Sequence, residues 1–197
     1  MTVAYVGLYN KNPYGFGLAP PVSELTQGIY GGKPIVVLGG ASSVGQIGTC
    51  LFPNVSLDSY LWLLPVIQLA RLSGFSPIIT TASLKHTDNL KSLGATAVFD
   101  RNLSAPELTK EIKLLTNESI KLVYDSISSD STQEIGVELL APGGQLGVVL
   151  PATVKADEGK SILRLLGLPR LPHNIELLET LYHDKIAEFL EKGIIKV

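Results

Sequence analysis

Gly40, Ser42 and Gly45 follow directly on the apolar run Ile35–Leu38, inside the stretch Pro34-Ile-Val-Val-Leu-Gly-Gly-Ala-Ser-Ser-Val-Gly-Gln-Ile47. A short strand, a glycine turn and a helix start in that order present backbone N–H groups and the positive end of a helix dipole. Such a site suits a phosphate or pyrophosphate. The spacing is that of G-x-G-x-x-G with serine at the middle glycine, and a hydroxyl there can itself donate a hydrogen bond. Small residues at this spacing also occur in ordinary strand–helix turns, so the pattern depends on its context. Three further groups stand where later apolar runs end: Thr80-Thr81-Ala82-Ser83 with Lys85 and His86, Asp125-Ser126, and Leu150-Pro151. Neither Ser42 nor Ser43 reads as a hydrolytic nucleophile, because the sequence around them is not G-x-S-x-G. His173 and His183 have no cysteine or glutamate at zinc-ligand spacing.

These groups need a scaffold. Apolar runs expected as strands lie at Ile35–Leu38, Pro77–Thr81, Ala97–Asp100, Leu122–Asp125 and Gln145–Leu150. Helix-length amphipathic segments separate them at Leu84–Leu93, Ala105–Leu115 and Thr132–Leu140. The alternation predicts an α/β fold, a Rossmann-like parallel sheet with helices on both faces. Gly94 is the expected stop of one helix, and Asp130 or Ser131 the expected cap of another. The tail should form one helix over Glu176–Glu191, with Ile175, Leu178, Tyr182, Ile186, Phe189 and Leu190 at helical period and Gly193 as its stop. Val3–Leu8 reads as a short helix, and Asn10–Tyr30, rich in glycine and proline, as an irregular connection with little core of its own. The expected organisation is a remnant and linker at 1–33 and a nucleotide-binding domain at 34–197.

Composition bounds the function. The 197 residues suit one domain, and 45% hydrophobic against 17% charged content suits a soluble chain with a sizeable core. With a formal net charge of −2 and no basic stripe, no nucleic-acid partner is expected. The single cysteine, Cys50, rules out a disulfide framework within the chain and reads as a small buried hydrophobe. No signal sequence opens the chain. The longest apolar run, Tyr60–Leu72, is broken by Pro65, Gln68 and Arg71 and is too short to span a bilayer, so no membrane partner is expected. A cytoplasmic location follows as the expectation.

The helix after the glycine turn is interrupted. Gly48, Thr49 and Phe52-Pro53-Asn54 are poor helix material, yet helical sequence resumes at Val66-Ile-Gln-Leu-Ala-Arg-Leu. With residues 48–65 removed, Val44, Ile47, Val66, Leu69 and Ala70 fall on one helical stripe, and Gly74 ends it. The cut is in frame. A GGT codon at Gly48 and a CCA-G junction at Pro65-Val66 would supply the GT and AG ends of an intron. We expect 48–65 to be a retained intron in the gene model, with a genuine insertion as the alternative. As it stands, the segment could form helix from Ser56 or Leu57 with a kink at Pro65.

The stretch Gly32–Gln46, followed by Gln68-Leu-Ala-Arg-Leu-Ser-Gly-Phe75, is similar to the medium-chain dehydrogenase/reductase superfamily. Within it, the chain resembles the fungal zinc-independent trans-enoyl reductases and quinone-oxidoreductase-like proteins. The likeness continues through Ile79–Lys85, Leu90–Ala95, Asp100-Arg101, Leu122–Ser126 and Leu140–Gly144. The resemblance implies the cofactor domain of an oxidoreductase that transfers hydride to a conjugated C=C or carbonyl of a small-molecule substrate. It implies a GroES-like catalytic domain that this chain lacks. Gly40, Ala41, Ser42, Ser43, Val44 and Gly45 would hold the pyrophosphate. Ser126 and Leu150 would line the nicotinamide side, where Asp125 could equally cap a turn. No carboxylate follows the second strand until Asp88. Thr81, Ser83 and Lys85 therefore point to NADPH, since a carboxylate there would repel a 2′-phosphate. The alternative is a non-catalytic nucleotide-binding fragment or pseudoenzyme.

Overall fold

Ile35 and Val37 of β1 (Ile35–Leu38) face one layer of helices, Val36 and Leu38 face the other, and all four are buried. A strand apolar at every position needs cover on both faces, as in the centre of a parallel sheet. The computed structural model, which describes residues 2–41, 64–157 and 159–195, supplies that cover. The other strands are β2 (Ile78–Ala82), β3 (Ala97–Asp100), β4 (Leu122–Asp125), β5 (Gln145–Val148) and β6 (Ser161–Arg164). All pairings are parallel, in the order β3-β2-β1-β4-β5-β6. The chain winds outward from β1 to β3, then returns to the other side of β1 as β4. That reversal opens a crevice at the carboxyl ends of β1 and β4.

One face is covered by α1 (Thr2–Tyr9), α2 (Leu64–Leu72), α3 (Thr87–Leu93) and the carboxyl-terminal helices, the other by α4 (Ala105–Leu115) and α5 (Asp130–Leu139). In α2 the residues Val66, Ile67, Leu69 and Ala70 are completely buried. Pro65 sits in the first turn of that helix, where its missing N–H costs nothing. The expected stripe partners Val44 and Ile47, and all of 48–65 before Leu64, lie outside the described residues. Gly94 ends α3 at φ 122°, as expected. The cap of α5 is Ser129 rather than Asp130 or Ser131: its hydroxyl accepts the Thr132 N–H at 3.3 Å.

Three elements depart from the sequence reading. The opening segment has a core of its own: in α1, Ala4, Tyr5, Val6 and Leu8 are fully buried against α2. The Tyr9 hydroxyl donates to the Leu69 carbonyl at 3.2 Å and lies 2.7 Å from Ser73 Oγ. Residues 16–30 are tied down by backbone N–H donors, with Phe16 bonded to the Gly7 carbonyl at 2.8 Å, Gly28 to that of Leu72 at 3.1 Å and Tyr30 to that of Ser73 at 3.0 Å. Glycine and proline mark irregular backbone, but they do not show whether that backbone is bonded.

The terminal helix begins earlier and is not uniform. It runs as α6 (Pro172–Glu179), a π-helical stretch over Thr180–Lys185, and α7 (Ile186–Glu191). The wider π turn shifts the later apolar face around the axis. Leu178, Leu181 and Phe189 are buried, while Ile175, Tyr182 and Leu190 of the expected stripe are each more than 40% exposed. Finally, β6 had no counterpart in the sequence reading; Ser-Ile-Leu-Arg becomes a strand by pairing with β5.

Candidate functional site

The glycine turn after β1 has two different reasons for its glycines. Gly39 has φ 77°, in the left-handed region, and so turns the chain away from the strand. Gly40 is required by crowding, since a Cβ there would come within 2.1 Å of Thr80 Oγ1 and 3.2 Å of Ile67 Cδ1. Neighbouring strands hold the turn. The Gly39 N–H donates to Thr81 Oγ1 at 3.1 Å, the Gly40 N–H to the Thr81 carbonyl at 2.9 Å, and the Thr80 hydroxyl to the Val37 carbonyl at 2.8 Å. From the other side, the Ser126 hydroxyl lies 2.6 Å from the Leu38 carbonyl and 3.0 Å from that of Gly39.

Beside this turn, at the carboxyl ends of β1 to β4, lies a cavity of about 150 Å³. Its floor is Gly39, Ala41, Ala82 and Ile127; its polar wall is Ser83, Lys85, His86 and Arg101. Ser83 and the single 3₁₀ turn Leu84–His86 follow β2, and Arg101 follows β3, its N–H bonded to the Ala82 carbonyl at 3.1 Å. Three basic side chains line the cavity and, among the described residues, no carboxylate does. The nearest acid in sequence, Asp100, is engaged in its own turn. Its Oδ1 accepts from the backbone and side-chain nitrogens of Asn102, both at 2.8 Å. Among the described residues, Lys85 and Arg101 take part in no ion pair. The wall can therefore accept an anionic group about the size of a phosphate.

The β4 and β5 side is built differently. Asp125 is fully buried; Oδ1 accepts from the Ile127 and Ser128 N–H groups at 2.9 and 2.8 Å, and Oδ2 accepts from the Thr132 hydroxyl at 2.7 Å. Burial pushes its carboxyl above the usual carboxylate range, and these three hydrogen bonds pull it part of the way back. Of the two roles the sequence left open for Asp125, the structure shows the turn cap.

Of the sequence-predicted residues, Ala41, Ser83 and Lys85 meet at the cavity. Gly40, Thr81 and Ser126 are buried behind it, with the contacts just given. Leu150 is half-buried beyond the end of β5, away from the cavity wall. Ser42, Ser43, Val44 and Gly45 lie outside the described residues. Sequence reasoning passed over Arg101 and Ile127 as site residues. The signal for Arg101 was present, since it directly follows a strand end, and ligands collect at such positions in open sheets.

Residues 64–166 match the family model described as zinc-binding dehydrogenase, and this span is just over half of the chain. The chain belongs to this family. Within the medium-chain dehydrogenase/reductase superfamily it corresponds to the cofactor-binding domain. It is 34% identical over 119 residues to a dual trans-enoyl reductase/FAD-dependent monooxygenase of Aspergillus terreus, covering 60% of this chain and 14% of that protein. It is 27% identical over 178 residues to a trans-enoyl reductase of a Fusarium species, covering 88% of this chain and 43% of that protein. Among solved structures, Escherichia coli quinone oxidoreductase complexed with NADPH superposes with a TM-score of 0.61 at 20% identity, over 86% of this chain and 48% of that one. The chain thus spans less than half the length of these relatives.

The family description names zinc. Among the described residues no three His, Cys, Asp or Glu side chains converge. His173 stacks on Tyr14 with ring centroids 3.7 Å apart, and His183 pairs with its neighbour Asp184 at 2.7 Å on the surface. Among the described residues, no helix is long and apolar enough to cross a membrane.

Proposed function

We propose that this chain is the NADPH-binding part of an oxidoreductase of the enoyl-reductase type, acting on a conjugated C=C or carbonyl of a small molecule in the cytoplasm. The observation that carries the proposal is the cavity beside the glycine turn, with Ser83, Lys85, His86 and Arg101 on its wall and no carboxylate among the described residues. A carboxylate after β2 suits the paired ribose hydroxyls of NAD; hydroxyl and cationic groups suit a 2′-phosphate. The NADPH complex of the quinone oxidoreductase and the names of the fungal relatives support the same reading.

In this reading Lys85, Arg101 and Ser83 hold the 2′-phosphate and Ala41 borders the adenosine end. The turn at Gly39-Gly40 leads the chain toward Ser42–Gly45, whose N–H groups take the pyrophosphate. Ser126 keeps that turn in place by its bonds to the Leu38 and Gly39 carbonyls. Leu150 supplies apolar contact on the nicotinamide side. Bound NADPH would supply the hydride; this part of the protein contributes binding and orientation.

The test is a titration of the chain with NADPH and NADH, read by calorimetry and by thermal shift. NADPH should bind at least tenfold more tightly than NADH, the difference that one or two charge-assisted hydrogen bonds produce. Equal affinity for the two, or preference for NADH, would overturn the assignment.

A further inference from the structure

The loops that follow β4 and β5 are joined through one buried amide. Gln133, in the first turn of α5, is fully buried. Its Nε2 donates to the carbonyls of Ser128 at 2.9 Å and Pro151 at 3.2 Å, and its Oε1 accepts the Thr153 N–H at 2.9 Å. The amide can be oriented only this way, because the flipped form would set its oxygen against two carbonyls. Both donors and one acceptor are in use, so the side chain is a brace and has no hydrogen left for a ligand.

A second brace runs beside it. Ser128 has φ 59°, unusual for a residue with a Cβ. Its hydroxyl donates to the Asp125 carbonyl at 2.9 Å and accepts the Val149 N–H at 2.9 Å. Gln133 in turn holds the Ser128 carbonyl, so the strained residue is fixed on both sides of its peptide plane. Leu150 consequently lies between two pinned neighbours, Val149 through its N–H and Pro151 through its carbonyl. A buried amide that bridges two loops is costly unless every bond is made. Here all of them are made to backbone, on the two loops that border the crevice at the ends of β4 and β5.

We infer that Gln133 is a positioning residue, which holds the 149–153 backbone in the conformation that receives the nicotinamide end of the cofactor without touching the cofactor itself. The inference rests on the NADPH reading above and adds to it a division of labour. The adenosine end is held by side chains after β2 and β3, and the nicotinamide end by backbone that Gln133 sets.

The experiment compares two ligands on the same chain: NADPH, and 2′-phospho-ADP-ribose, which lacks the nicotinamide. Gln133→Leu removes all three bonds. Gln133→Glu keeps the shape and the Oε1 acceptor while losing the two donated bonds, and serves should the leucine variant fail to fold. Each variant should weaken NADPH by roughly tenfold, the effect of one or two lost hydrogen bonds. Each should leave the affinity for 2′-phospho-ADP-ribose unchanged. If both ligands weaken together, or neither does, Gln133 is only a fold residue and the inference is overturned. The same holds if the unsubstituted chain binds the two ligands equally, because the nicotinamide end then makes no contact to be positioned. Failure of the unsubstituted chain to bind either ligand overturns the NADPH reading itself.

Discussion

The two sides of the crevice use polar residues in opposite ways. On the β2 and β3 side, Lys85 and Arg101 are exposed and, among the described residues, unpaired with any acid. On the β4 and β5 side, Asp125, Ser128 and Gln133 are buried, and their side-chain polar groups bond to neighbouring backbone and to Thr132. The first side keeps its charges free for a ligand. The second uses its polar groups to fix backbone and leaves little for a ligand but shape. Water screens the first set, so their removal should cost affinity and not stability. Burial makes the second set structural, so their removal should cost stability first.

The sharpest break of this contrast is Asp125→Ala. It leaves the N–H groups of Ile127 and Ser128 without their acceptor and should lower unfolding stability by about 3 kcal/mol, measured by urea denaturation. Asp125→Asn keeps an acceptor at Oδ1 and should cost under about 1 kcal/mol. Gly40→Ala comes next, at about 2 kcal/mol, because its Cβ meets a threonine hydroxyl locked to the Val37 carbonyl. Adding Thr80→Ala should recover part of that loss in a double-mutant cycle. On the other side, Lys85→Ala and Arg101→Ala should each weaken NADPH by about tenfold, leave NADH binding unchanged and leave the melting temperature within error.

The smallest expected effect is a pH dependence. Asp125 has a folded pKa raised by burial, so the folded state holds that proton more tightly than the unfolded chain does. Its contribution is fully present below the ordinary carboxylate value, about 3.9, and is lost as pH rises through the raised folded value. Stability of the chain relative to its Asp125→Asn variant should therefore increase as pH falls through that window. A difference that stays flat, or one that grows toward neutral pH, would show that the three hydrogen bonds outweigh burial.

Much of the fold was legible because apolar runs between turn residues mark parallel strands. Ile35–Leu38, Ala97–Asp100 and Leu122–Asp125 fall where their apolar runs lie, and the neighbouring strands shift by no more than two residues at an end. What was illegible depended on partners distant in sequence. β6, Ser-Ile-Leu-Arg, has polar residues at both ends and needs β5 to be a strand. α1 reads as a short apolar helix, and only its packing on α2 makes it core. The terminal helix has a sound apolar period, but a π turn is a local register change that spacing assumes away. At the cavity, Ser83, Lys85 and Arg101 each follow a strand end in the sequence, but that Arg101 stands beside Lys85 comes from β3 lying against β2.

The sequence by itself determined the order of strands and helices, the glycine turn and the lack of an acid after β2. Each of these rests on local properties: apolar period, backbone freedom and charge. Only the tertiary structure decided that Arg101 joins Lys85 on one wall, that Asp125 caps a turn, and that Gln133 ties two loops together. The first and last are contacts across the sheet or between successive loops, which exist because parallel strands place residues far apart in the chain at the same edge; the Asp125 cap is local and depends on how the loop after β4 folds back. Periodicity carries no information about which polar side chain will find which backbone group there.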